Sequence, residues 1–118
     1  MIVRGGPDTT KKLTTHAART ARAWSLDGQP IEGISVFCAL DATGDASLDA
    51  VLANMHSYRV VYLCPAGDLR AAGFEFLATA KRPHYTLRAQ GGGTLDVERL
   101  ISSLGVPQEN PFHQRRKA

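Results

Sequence analysis

Apolar runs too short for helices alternate along this chain with segments whose apolar residues recur every three or four positions. That alternation constrains the fold more than any single motif. The clearest run is Tyr58–Cys64, where Val60, Val61, Tyr62 and Leu63 stand in a row and Pro65 ends it. Ile34–Leu40 is a second β-branched and aromatic run, and Met1–Gly6, Phe74–Leu77 and Pro83–Ala89 are three more. Between them, Leu13, Ala17, Thr20 or Ala21, and Trp24 lie on one stripe of a helix capped by Asp8 or Thr9 and running to Ala23. Leu48, Val51, Leu52 and Met55 form the face of a second helix, capped by Asp45 or Ser47. Ala66–Ala72 makes a short helix stopped by Gly73, and Thr94 caps a last one over Leu95–Leu104. The order β-α-β-α-β-α-β-β-α predicts an α+β or α/β domain, a mixed sheet with three to four helices packed on it.

A chain of 118 residues has room for one core, which the patterned segments place in residues 1–107. Residues 108–118 read as a basic, loosely ordered tail ending in Arg115-Arg116-Lys117. Hydrophobic residues make up 43% of the chain, which argues against wholesale disorder. No apolar stretch approaches the roughly 20 residues that span a bilayer, and Met1–Gly6 lacks the apolar core of a signal peptide. Cys38 and Cys64 both lie in apolar runs and read as buried thiols in a reducing compartment, although pairing is open if their strands are neighbours. A cytoplasmic protein with no membrane partner is the expectation.

Charge is segregated. Residues 1–22 carry a net +4, residues 23–80 a net −5 and residues 81–118 a net +4. If both ends fold onto one face, that face suits phosphate or nucleic acid. Lys11, Lys12, Arg19 and Arg22 also fit a plain solvated helix face.

Three strand-like segments carry polar groups able to do chemistry. Arg4, followed by Gly5-Gly6, combines a planar fork for phosphate or carboxylate with a backbone that can approach a ligand closely. Ser35 sits between Ile34 and Val36, where its hydroxyl can bond a sugar, position Arg4 or satisfy a neighbouring backbone group. His84 and Tyr85 point to opposite faces of a strand; His84 is preferred for the site and Tyr85 for the core. Glu75, between Phe74 and Phe76, can stabilise an oxocarbenium-like transition state or simply face solvent. His16, His56 and His113 carry weaker signals, and no H-x-x-x-H or C-x-x-C spacing supports a metal. Gly91-Gly92-Gly93 before a capped helix is a minimal anion-binding arrangement, or an ordinary connector.

The strand arginine with Arg4-Gly5, the segment Gly33-Ile34-Ser35-Val36-Phe37 and the strand His84-Tyr85-Thr86-Leu87 together resemble compact ADP-ribosyltransferase-like toxins, including a cytotoxic type VI secretion effector family. Leu69–Phe74 followed by Arg82–Thr86 is also similar to small actinobacterial proteins. The matching stretches cover about a quarter of the chain. The resemblance implies a bent, split sheet that binds NAD as substrate in its cleft. Arg4, His84 and Glu75 would then take catalytic roles, and Arg4, Gly5, Ser35 and Tyr85 would lie against the NAD. It also implies a cognate antitoxin or immunity partner. The Glu-x-Glu or Gln-x-Glu motif of arginine-targeting transferases is absent, so the acidic catalyst is unassigned and Glu75 is a candidate for it. On this reading Arg4→Ala removes toxicity and leaves the fold intact.

Two other classes compete. One is a small basic ribonuclease-type toxin or RNA-binding domain, using His84 beside Lys81, Arg82 and Arg88 together with the basic tail. The other is a non-enzymatic interaction module, in which Arg4, Ser35 and His84 lie far apart.

Overall fold

A computed structural model describes residues 1–114 apart from residues 42, 45, 80 and 82. The alternative cap Asp45, the basic residue Arg82 and the Arg115-Arg116-Lys117 end of the tail lie outside the described residues. In chain order the elements are β1 (Ile2–Gly6), α1 (Thr10–Ala23), β2 (Ser25–Leu26), β3 (Gln29–Pro30), β4 (Gly33–Cys38) and α2 (Leu48–Asn54). There follow β5 (Val60–Cys64), α3 (Ala66–Ala71), β6 (Phe74–Leu77), β7 (His84–Ala89), α4 (Val97–Leu104) and β8 (Gln108–Glu109). The molecule is thus α+β, with four helices among the described residues.

Six strands make one sheet in the order β6-β7-β4-β1-β5-β8, and β2 and β3 make a separate hairpin. Every pairing among these strands is antiparallel, which corrects the expected mixed sheet. The reason is interleaving. Strands β4, β5 and β6 run the same way and are joined by helices, as a β-α-β-α-β order demands. The oppositely directed β1 lies between β4 and β5, and β7 lies between β4 and β6, so no two co-directional strands touch.

Alternation along the strands explains the unbroken apolar run of β5. Tyr62 and Cys64 enter a core shared with Ile2, Ile34, Val36 and Leu87 and covered by Leu13 of α1, Leu69 of α3 and Leu100 of α4. Val61 turns to the other face, where Val3 meets Val51, Leu52 and Met55 around α2. Ile2 pairs with Cys38 on one side and Cys64 on the other, so β1 separates the two thiols. Two strand spacings of roughly 4.8 Å place their backbones well beyond disulfide reach. Both cysteines are free and buried.

The caps follow local chemistry. Thr9 Oγ1 accepts from Lys12 N at 3.1 Å to start α1, and Ser47 Oγ accepts from Ala50 N at 3.2 Å to start α2. The last helix is capped by Asp96, not Thr94, with Arg99 N donating to Asp96 Oδ1 at 3.1 Å. Leu95, just before this cap, and Leu100, in the first turn beyond it, share the main core in the arrangement of a hydrophobic staple. Trp24 does not join the stripe of α1: it is the C-cap in extended conformation and is 48% exposed.

The described start of the segment beyond residue 107 is attached to the sheet. Gln108 and Glu109 pair with Val61 and Val60, and Asn110 is buried.

Gly33 of β4 leaves no room for a side chain against β7. A Cβ there would stand 2.5 Å from Leu87 O and 2.6 Å from Thr86 Cγ2, and a backbone carbonyl cannot swing aside. Gly33→Ala is therefore expected to cost about 1–3 kcal/mol, read as a lower urea midpoint at unchanged slope. At Gly5 the obstacle is a side chain, the ring of Tyr58, which is 44% exposed.

Candidate functional site

Strands β1 and β4 begin as neighbours and then part. Ile2↔Cys38 and Val3↔Phe37 are paired, but from Arg4 onward β1 follows only β5, as far as Gly6↔Val60. The backbone groups of Ser35 that face the gap are therefore met by side chains. Arg4 Nη1 donates to Ser35 O at 2.6 Å, and Ser35 N–H points at Nε2 of His16 on α1 at 3.4 Å. Arg4 Nε and Nη2 straddle the Asp8 carboxylate at 3.0 and 3.5 Å, and Nη2 also lies 3.3 Å from His16 Nδ1. Asp8 is anchored in turn, its backbone N–H donating to Tyr62 Oη at 2.9 Å. The Arg4 and Asp8 side chains are 13% and 5% exposed, so the pair is held away from water. Arg4 is thus occupied on every side by the protein itself.

His16 sits at the centre of this group. Burial lowers its pKa from the ordinary value near 6.5; Arg4 and Arg19 lower it further, Asp8 opposes them, and His84 adds a small push downward. The ring is therefore neutral at pH 7, with one N–H and one lone pair. Arg4 Nη2 and Ser35 N–H can both only donate, so the first calls for a lone pair on Nδ1 and the second for a lone pair on Nε2, and a neutral ring meets one of them at a time. With the lone pair on Nδ1, Nε2–H donates to Ser35 Oγ, 3.4 Å away; with the lone pair on Nε2, the ring accepts from Ser35 N–H instead. One imidazole cannot satisfy all three contacts. In the tautomer that accepts from Arg4, the serine hydroxyl receives a hydrogen bond from the ring and has no base to take its proton, the reverse of a serine nucleophile.

Above the group lies a cavity of about 320 Å³. Lys11, Lys12, Thr15 and Arg19 of α1 line it together with Arg4, Asp8 and His16. Spacings of three and four residues put these cations on one side of α1, while Leu13, Ala17 and Thr20 are buried on the other. Asp8, the one carboxylate among the lining residues, is matched by Arg4, which leaves three cations of α1 facing the cavity without a second lining carboxylate. The arrangement suits a phosphate-bearing ligand. Larger cavities lie elsewhere. One of about 540 Å³ lies between the β2–β3 hairpin and Gly91–Gly93 and carries Asp27 and Glu32. Another of about 630 Å³ lies beside the segment from Gln108 to His113.

The structure brings Arg4 and Ser35 together and places His84 near them. His84 pairs with Phe37, on the same sheet face as Ser35 and diagonally across from it, a separation of roughly 7–8 Å in an antiparallel sheet. Its ring meets Phe37 edge-on with centroids 5.4 Å apart, and burial lowers its pKa. His84 Nδ1 is buried with no hydrogen-bond partner among the described residues. Gly5 adjoins Arg4 but lies under the Tyr58 ring. Tyr85, opposite Val36, turns to the other face and packs on the main core.

Glu75 stands apart, on the edge strand β6. It accepts from Arg88 Nε at 2.7 Å and from Gly91 N–H at 3.1 Å, and these bonds, the Gly91 one first, pull its pKa down. The glycine loop thus gives an N–H to a carboxylate of its own chain, and Arg88 is tied up with it. In the sequence His16 carries only a weak site signal, and Asp8 reads only as a candidate helix cap. His16 was legible: it lies three residues after Leu13 and four before Thr20, so helical spacing turns it toward the sheet. Asp8 gave no such signal, because its role depends on how the turn after Gly5-Gly6 folds back.

No protein-family model, no curated protein and no solved structure matches the chain. The function is therefore argued from the site's own geometry. No helix among the described residues is long and apolar enough to cross a membrane.

Proposed function

We propose that this chain is an NAD-binding toxin of the ADP-ribosyltransferase type, with the opening between β1 and β4 as its cleft. One observation carries the reading: the sheet parts after Val3↔Phe37, and Arg4, His16 and Ser35 fill the opening beneath a cavity lined by Lys11, Lys12 and Arg19. Arg4 keeps the walls of the cleft in place, and the pyrophosphate falls to the α1 cations. His84, across Phe37, borders the ribose side. Glu75 is committed to Arg88 and Gly91 on the edge strand, so Asp8 is the carboxylate nearest the reacting end. ADP-ribosyl transfer or NAD hydrolysis is the activity this reading implies, with an antitoxin or immunity protein as partner.

The test is calorimetric titration of the full chain with NAD and ADP-ribose, followed by an assay of nicotinamide release. Lys11→Ala and Arg19→Ala change exposed residues and leave the Arg4–Asp8 pair intact. Each is expected to weaken binding about tenfold, because a charge-assisted hydrogen bond contributes roughly 1.5–3 kcal/mol. Failure of both ligands to bind at millimolar concentration sinks the proposal. Single-stranded RNA binding that weakens steeply with salt, in place of NAD binding, selects the nucleic-acid reading instead.

A further inference from the structure

We infer that His16 is a proton-operated latch on this cleft, closed while its ring is neutral and released when the ring is protonated. The inference deepens the cleft reading above and concerns its regulation, but it does not depend on NAD being the ligand.

The geometry of donors carries it. Three groups meet the ring: Arg4 Nη2 at Nδ1, and Ser35 N–H and Ser35 Oγ at Nε2. A neutral ring accepts from Arg4 through Nδ1 or from Ser35 N–H through Nε2, according to its tautomer. An imidazolium has N–H on both nitrogens and keeps only the Oγ contact. Its Nδ1–H faces a guanidinium nitrogen 3.3 Å away, and its Nε2–H faces a backbone N–H at 3.4 Å. The surrounding charges do not relieve this. Arg19 on α1 and His84 on β7 add positive or potentially positive charge, and Lys11 and Lys12 line the same cavity. Asp8, the one carboxylate acting on the ring, is already held by Arg4. Tyr62 on β5 contacts Asp8 through its backbone and offers the ring nothing.

The protonated ring therefore leaves Arg4 and swings toward the cavity, releasing Ser35 N–H and one guanidinium edge into the opening. A phosphate dianion entering there gains an imidazolium partner, so its binding takes up a proton. The fold holds His16 below the ordinary value near 6.5, so stability is complete above that pH and declines as pH falls through the folded midpoint.

The experiment is a ¹H–¹⁵N NMR titration of the full chain from pH 8 to pH 5, without ligand and then with ADP-ribose. The His16 ring is expected to titrate below the histidines of the same chain unfolded in urea, and the Ser35 amide is expected to shift with the same midpoint. His16→Gln is expected to abolish the Ser35 shift while the spectrum stays dispersed; if that variant does not fold, the wild-type titration decides alone. With ADP-ribose, affinity is expected to rise by up to about tenfold per unit fall in pH between the free and bound midpoints. A Ser35 amide that ignores the titration of His16 overturns the latch whether or not ADP-ribose binds. Absence of ADP-ribose binding, with the Ser35 response present, counts against the nucleotide reading and supports the latch.

Discussion

Arg4→Ala is expected to destabilise the protein by about 3–5 kcal/mol, the cost of removing one partner from a buried ion pair. The loss is large because the Asp8 carboxylate, with a side chain only 5% exposed, is left without its cation. Ser35 O loses its bond from Nη1, and His16 Nδ1 loses a donor as well. Arg4→Lys restores the charge but not the fork. An ammonium cannot span both Asp8 oxygens and Ser35 O at once, so an intermediate loss is expected. Urea unfolding followed by circular dichroism checks both, and a loss below about 1 kcal/mol for Arg4→Ala would show that the pair is not buried in solution. This reverses the sequence-based view of Arg4→Ala as a fold-neutral test of function. Activity lost in that variant reports on folding first, which is why Lys11 and Arg19 are the better probes of binding.

Asn110→Ala is expected to cost about 2–4 kcal/mol, since buried polar groups left without partners cost roughly 1–3 kcal/mol each. Asn110 is 4% exposed. Its Nδ2 lies 3.3, 3.0 and 3.2 Å from the carbonyls of Leu52, Met55 and Tyr58, and its Oδ1 accepts from Phe112 N at 3.0 Å. Two amide hydrogens shared among three carbonyls tie the end of α2 and the approach to β5 to the C-terminal segment. Asn110→Asp is expected to do more damage than alanine, because it turns a carboxylate toward those carbonyl oxygens. Differential scanning calorimetry checks the order Asn, Ala, Asp. Hydrogen exchange should show faster opening of β8 and the end of α2 in both variants.

Where periodicity and caps carry the information, the fold was legible. Thr9 and Ser47 cap α1 and α2, and β5 runs from Val60 to Cys64 within the segment read as strand. What escaped the sequence depends on partners far along the chain. The antiparallel sheet follows from β1 and β7 inserting between co-directional strands, and no local pattern encodes that order. Strand β8 is two residues long, and Asn110 reads as a loop residue until the carbonyls of Leu52, Met55 and Tyr58 surround it. At the site, the alternation of His84 and Tyr85 was readable from the strand period, and the structure places the two on opposite faces. The distance of Glu75 from Arg4 was not, because it depends on which strand lies at the sheet edge.

The central place of β1 has a consequence for how the protein is made. Ile2 and Val3 leave the ribosome well before one set of their partners, Leu63 and Cys64, which follow some 60 residues later. At translation rates of about 5–20 residues per second, this apolar strand waits several seconds with neither edge covered. The helix that follows it can form at once, but the sheet cannot close around its middle strand until both flanks have been synthesised. Slowing elongation ahead of residue 64 is therefore expected to increase capture of the nascent chain by chaperones, while refolding of the finished protein is unaffected.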